Sequence, residues 1–313
     1  MRDLRNAAGL IGTAALLWSA PAPAHATYEG QVGRIAFGAF EAGNTQSEIY
    51  SVRPGGQALR QLTDAAGLDI CPAYSADGKQ IAFCSNRTGV FEIWVMNANG
   101  KQERQVTSLG TRALFPDFSP DGTRLAFSAT PPGGGDPELW TVSVEGGEPT
   151  RLTETAAWSE QEPVWSPDGT LLLYRRVAPD WSTSQLWLID VSSGVQTQLT
   201  FDPTFKDQVA DWSPDGSRIA YGADGDVWVM NADGSGATNL TNSATDEFGA
   251  AWSPRGDWIA FTGGGDDVPA GERYVQVIRP DGTDRQVVAP TPGLRQAVPA
   301  WQPLGGGRGR HDR

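Results

Sequence analysis

Apolar residues recur along this chain in short runs bounded by Gly, Asp, Asn and Pro, without the 3.6-residue spacing of amphipathic helices. The runs keep a fixed order. An aromatic residue closes one run and enters a tight turn, as in Tyr74-Ser75-Ala76-Asp77-Gly78, Phe118-Ser119-Pro120-Asp121-Gly122, Trp165-Ser166-Pro167-Asp168-Gly169, Trp212-Ser213-Pro214-Asp215-Gly216 and Trp252-Ser253-Pro254-Arg255-Gly256. An apolar triplet follows, such as Ile81-Ala82-Phe83, Leu125-Ala126-Phe127 or Ile219-Ala220-Tyr221. Beyond a variable loop comes a run such as Glu92-Ile93-Trp94-Val95-Met96 or Asp226-Val227-Trp228-Val229-Met230. A second turn then leads to a closing Leu-Thr pair, Leu152-Thr153 or Leu240-Thr241. β-Branched and aromatic runs between turn residues predict four strands per unit.

The motif serines are 44, 47, 47 and 40 residues apart, a period that belongs to arrays of four-stranded blades. The ends complete the count. Arg34-Ile35-Ala36-Phe37, Glu48-Ile49-Tyr50 and Gln61-Leu62-Thr63 supply three strands with no aromatic strand before them, and Ala297-Val298-Pro299-Ala300-Trp301-Gln302-Pro303 supplies that strand at the other end. The predicted fold is all-β: a six-bladed β-propeller with four antiparallel strands per blade, its ring closed by a C-terminal strand that completes blade 1. Closure removes free sheet edges.

The aromatic-Ser-Pro-Asp-Gly turns, the Trp-Val-Met-Asn-Ala-Asp-Gly strands and the Leu-Thr pairs resemble the propeller repeats of the TolB translocation family. Similar repeats occur in the propellers of prolyl oligopeptidase-like proteins. Repeat-like sequence begins soon after residue 27, so the resemblance implies a TolB-like propeller without the small N-terminal domain of TolB proteins. It also implies a binding role for the ring.

Arg2 and Arg5, the apolar stretch from Ala7 to Ala20 and the exit Ala24-His25-Ala26 read as a signal peptide over residues 1–26. The propeller is expected over 27–304 and a flexible polar tail over 305–313, with a periplasmic or secreted location. No later segment has the ~20 apolar residues of a membrane span. The formal charge of −13 disfavours nucleic acid and anionic membrane surfaces and steers basic partners.

The histidines, His25 and His311, both fall outside the predicted ring, which excludes Ser-His-Asp and Cys-His nucleophiles and ordinary His-ligated zinc. Asp77, Asp121, Asp168 and Asp215 suit turns, where Pro sets φ and Gly takes the left-handed position. Trp165, Trp212, Trp252 and Trp301 are expected to pack between blades, as are Trp94, Trp140, Trp187 and Trp228. Cys71 and Cys84 flank a hairpin, and their placement allows a disulfide or two buried thiols.

Functional candidates lie where the blades differ. Six places before each motif serine, or its equivalent, stand Asp69, Ala113, Glu160, Asp207, Glu247 and Gln296, with Glu162 two residues beyond Glu160. These acids are expected at the channel mouth. Phe115, Trp158, Trp181, Phe205 and Phe248 fall in or near the same loops, and exposed aromatics anchor protein partners. Two readings follow. The first is an exported, non-enzymatic, monomeric module that binds a basic protein or peptide and needs no cofactor. The second is an extracytoplasmic enzyme acting on a glycan or small molecule through channel carboxylates, with calcium held by Asp69, Glu160, Asp207 and Glu247.

Overall fold

The computed structural model describes residues 33–41, 46–155, 157–202, 208–265, 268–269, 271–288, 290–291 and 293–303. The predicted signal peptide and tail, and the candidates Phe205 and Asp207, lie outside them. Within them the chain forms six four-stranded antiparallel sheets. Blade 1 is the composite one: Leu294–Trp301 pairs with Ile35–Glu41, bringing Trp301 opposite Ile35. Blades 2 to 6 begin at Asp69, Ala113, Ser159, Gln208 and Glu247 and run in simple meander order. The first strand of each blade touches the first strands of both neighbours, so these six strands form the inner wall.

The core is divided among the blade interfaces. Each of six buried clusters draws on two adjacent blades; one joins Ile81, Phe83 and Met96 of blade 2 to Ala36, Ile49 and Leu62 of blade 1. The triplets place Phe37, Phe83, Phe127, Tyr174 and Phe261 at the centre of these interfaces, all fully buried. The aromatics before the motif serines, Trp165, Trp212, Trp252 and Trp301, are buried as expected. Trp94, Trp140, Trp187 and Trp228 are only half-buried. Guanidinium groups cover rings of this set: Arg87 on Trp94, Arg151 on Trp140 and Arg176 on Trp187.

The motif turn is stabilised within itself. In blade 3, Ser119 Oγ donates to Asp121 Oδ1 at 2.6 Å and accepts the N–H of Arg124 at 3.0 Å, while Asp121 Oδ1 also accepts the N–H of Thr123. Gly122 follows at φ +72°, where a side chain is strained. These bonds hold the Asp121 carboxyl down at about 2. In blade 6, where Arg255 replaces the Asp, Asp257 takes its place and accepts from Ser253 Oγ at 2.8 Å.

The closing Leu-Thr pair has an equally local function. Thr107 Oγ1 accepts the N–H of Ile93 and donates to the carboxylate of Glu92; Thr153 does the same for Leu139 and Glu138. This clamp ties the short fourth strand to the third. It recurs with Thr63 and Glu48, and with Thr241 and Asp226.

Candidate functional site

Each inner strand is interrupted at one register. Pairing jumps from Ile70 to Ala73 in blade 2, from Leu114 to Asp117 in blade 3 and from Gln161 to Val164 in blade 4. The bulged residues Cys71, Phe115, Glu162 and Val298 have φ of +53°, +56°, +57° and +46°, and Gly249 takes the same place at +74°. Proline follows four of the five, at Pro72, Pro116, Pro163 and Pro299. Proline cannot donate to a ladder, so it sits in a strand where pairing already fails. The bulges turn Cys71, Phe115, Glu162 and Val298 toward the axis, where they line a central cavity of about 450 Å³ extending to the prolines of the motif turns.

The wall of this cavity is proline, alanine and aromatic carbon carrying three carboxylates: Asp117, Glu162 and Asp211. Asp117 Oδ2 accepts the N–H of Trp165 in the next blade at 2.8 Å, and Asp211 Oδ2 accepts that of Trp252 at 2.7 Å. Burial pushes both carboxyls up to about 7, and for Asp117 the charge of Asp211 adds to the effect. Glu162 is buried: its Oε2 accepts the N–H of Val209 in blade 5 at 2.7 Å and its Oε1 meets Arg175 at 3.1 Å. Backbone amides at the bulge are thus capped from the neighbouring blade. The N–H of Phe115 donates to Cys84 Sγ at 3.2 Å and that of Glu162 to Ser128 Oγ at 3.0 Å. Blade 4 carries the donor Arg175 at the equivalent position, and the Glu162 carboxylate supplies the acceptor instead.

Asp117 and Asp211 escaped the sequence reading. Their signal is a carboxylate where the other inner strands have Ala73, Val164, Ala251 and Ala300.

The acids expected as an open ring at the opposite end are buried and compensated. Asp69 meets Arg87 at 2.6 Å, Glu160 meets Arg176 at 2.8 Å and Glu247 meets Arg285. Asp69, Glu160 and Glu247 are no more than 2% exposed, and desolvation raises all three carboxyls above the ordinary range. The arginines lie on aromatic rings of the same blade, so each acid completes a stack within the sheet. Gln296 is buried too, its Oε1 accepting the N–H of Val275 and its Nε2 donating to Thr291. Among the described residues no three Asp, Glu, Cys or His side chains gather as metal ligands.

The aromatics divide. Trp158 and Trp181 are exposed, at 41% and 60%. Phe248 lies under Arg273, 5.2 Å from the guanidinium, and Phe115 lines the cavity. Cys71 and Cys84 are buried free thiols. The bulge is the reason they are not directly opposed: the residue facing Cys84 is Ile70. A hydrogen bond with Cys84, together with burial, pushes the Cys71 thiol up.

A family model described as the TolB beta propeller domain matches residues 102–305. The chain belongs to that family. The TolB homolog of Chlorobium luteolum is 38% identical over 50 residues, 16% of this chain and 12% of that protein. TolB from Acinetobacter baumannii superimposes with a TM-score of 0.74 at 22% identity, over 87% of this chain and 67% of the other. Hydrazine synthase of Kuenenia stuttgartiensis reaches 0.75 at 16% identity, over 88% of this chain and 47% of that one. These superpositions establish the propeller alone, since one fold hosts unrelated functions.

Proposed function

We propose that this TolB-family propeller is an exported, non-enzymatic binding module that takes a segment of a basic protein or peptide into the channel end lined by Asp117, Glu162 and Asp211. The observation that carries the reading is the cavity itself: about 450 Å³ enclosed by apolar and proline surface that bears carboxylates. A concave apolar surface with few placed polar groups suits ligand capture. The net charge of −13 favours approach of a basic segment. The acids at the other end are already neutralised by Arg87, Arg176 and Arg285, as Glu162 is by Arg175, so Asp117 and Asp211 are the carboxylates that offer most to an incoming cation.

Affinity capture from an envelope extract at pH 8, with the retained protein identified by mass spectrometry, tests this reading. Asp117→Asn with Asp211→Asn removes both charges and keeps side-chain acceptors for Trp165 and Trp252. Loss of capture by a folded double variant supports the proposal; undiminished capture overturns it.

A further inference from the structure

On the motif-turn face of blades 3 and 5, the residue just before the apolar triplet faces the motif aromatic of the next blade. Arg124 of blade 3 stacks 4.8 Å from the ring of Trp165, and Arg218 of blade 5 stacks 4.7 Å from that of Trp252. In both blades the turn Asp, Asp121 or Asp215, lies in the attractive field of the same arginine. Blades 3 and 5 thus each build a three-part unit with the blade that follows: a carboxylate, a guanidinium and an indole.

Blade 4 lacks the middle part. Leu171 stands at the position of Arg124 and Arg218, opposite Asp190 as Arg124 is opposite Ser143. Among the described residues, the indole of blade 5, Trp212, has no guanidinium over it and Asp168 has no cation paired with it. The shorter side chain leaves a groove of about 440 Å³ between blades 4 and 5, lined by Leu171, Leu188, Trp212 and Ala232 and edged by Asp168 and Asp215.

We propose that this groove is a docking site for an arginine side chain presented by a basic protein segment, stacking on Trp212 and facing Asp168. The chemistry of the occupant is read from the neighbouring blades, where the chain fills the same space with its own arginine. Arginine fits better than lysine because a planar guanidinium stacks on indole while pairing with a carboxylate at its edge. The site lies between two blades rather than in the channel, and it stands independently of the channel reading.

The indole N–H resonance of Trp212, assigned with Trp212→Phe, reports on the groove in the mature chain. Titration with acetyl-Gly-Arg-Gly-amide is expected to move it saturably, with binding at least about threefold tighter than for the neutral citrulline peptide. Leu171→Arg supplies the missing guanidinium in cis and is expected to abolish the response. No shift at millimolar arginine peptide, an equal response to citrulline or leucine peptides, or an undiminished response in Leu171→Arg would overturn the proposal. Should Leu171→Arg fail to fold, Asp168→Asn decides: its amide oxygen can still accept in the turn, and arginine-peptide affinity is expected to fall at least about twofold. Unchanged affinity in that variant would overturn the proposal as well.

Discussion

The carboxylate of Asp117 accepts the backbone N–H of Trp165, a residue of the next blade, at 2.8 Å. One side chain thus joins two blades and places a carboxylate in the channel wall. Asp211 repeats the arrangement with Trp252 two blades further on.

These groups set a pH dependence. Burial raises both carboxyls to about 7, against about 3.9 for an unfolded Asp. The folded state therefore holds its protons more tightly, so stability falls as pH rises from about 4 to about 7 and levels off above. Asp69, Glu160 and Glu247 are shifted in the same direction. Replacing Asp117 or Asp211 by Asn is expected to stabilise the ring by about 1–2 kcal/mol at pH 8 and to flatten this slope. Thermal melts between pH 4 and 8 measure it; a wild-type protein that gains stability steadily toward pH 8 would contradict the assignment.

The Glu160–Arg176 pair is buried and stacked on Trp187. Arg176→Ala leaves a desolvated carboxylate without its cation and is expected to cost about 3–5 kcal/mol. Adding Glu160→Gln to that variant should recover part of the loss. A denaturant-based double-mutant cycle checks the coupling, and strict additivity would show the pair to be energetically silent.

Cys84 Sγ stands where the next blade has Ser128 Oγ, and both receive an amide N–H from the following bulge. Cys84→Ser preserves an acceptor and is expected to stay within about 1 kcal/mol of wild type. Cys84→Ala orphans the N–H of Phe115 and should cost about 1–3 kcal/mol. Equal stability of the two variants in urea unfolding would remove this role.

Trp252 is 4% exposed and packs with Ile259, Phe261 and Val229 across the interface between blades 5 and 6. Trp252→Ala is expected to lower stability by about 3–5 kcal/mol. A melting temperature equal to that of the parent would mean that the indole is not packed between blades.

The ring was legible in the sequence because its information is local and repeated. Ser-Pro-Asp-Gly supplies a turn from its own side chains, and Asp257 can replace the missing Asp at Arg255 without disturbing the register. Pro72, Pro116, Pro163 and Pro299 also announce the bulges, a signal visible in the sequence once strands are assigned. The environment of Asp69, Glu160 and Glu247 was not legible. Their compensating arginines stand 18, 16 and 38 residues away, outside the first strand, and only the folded sheet brings each pair together. The same holds for Asp117, whose partner amide belongs to another blade 48 residues on.

The most direct test of the binding account is capture of the envelope partner as a function of pH. Ionisation of Asp117 and Asp211 through about 7 should strengthen retention of a basic segment between pH 6 and 8, and the Asp117→Asn, Asp211→Asn variant should show weak retention at both values. Retention that is independent of pH and unchanged in the folded double variant would contradict the channel as the binding site.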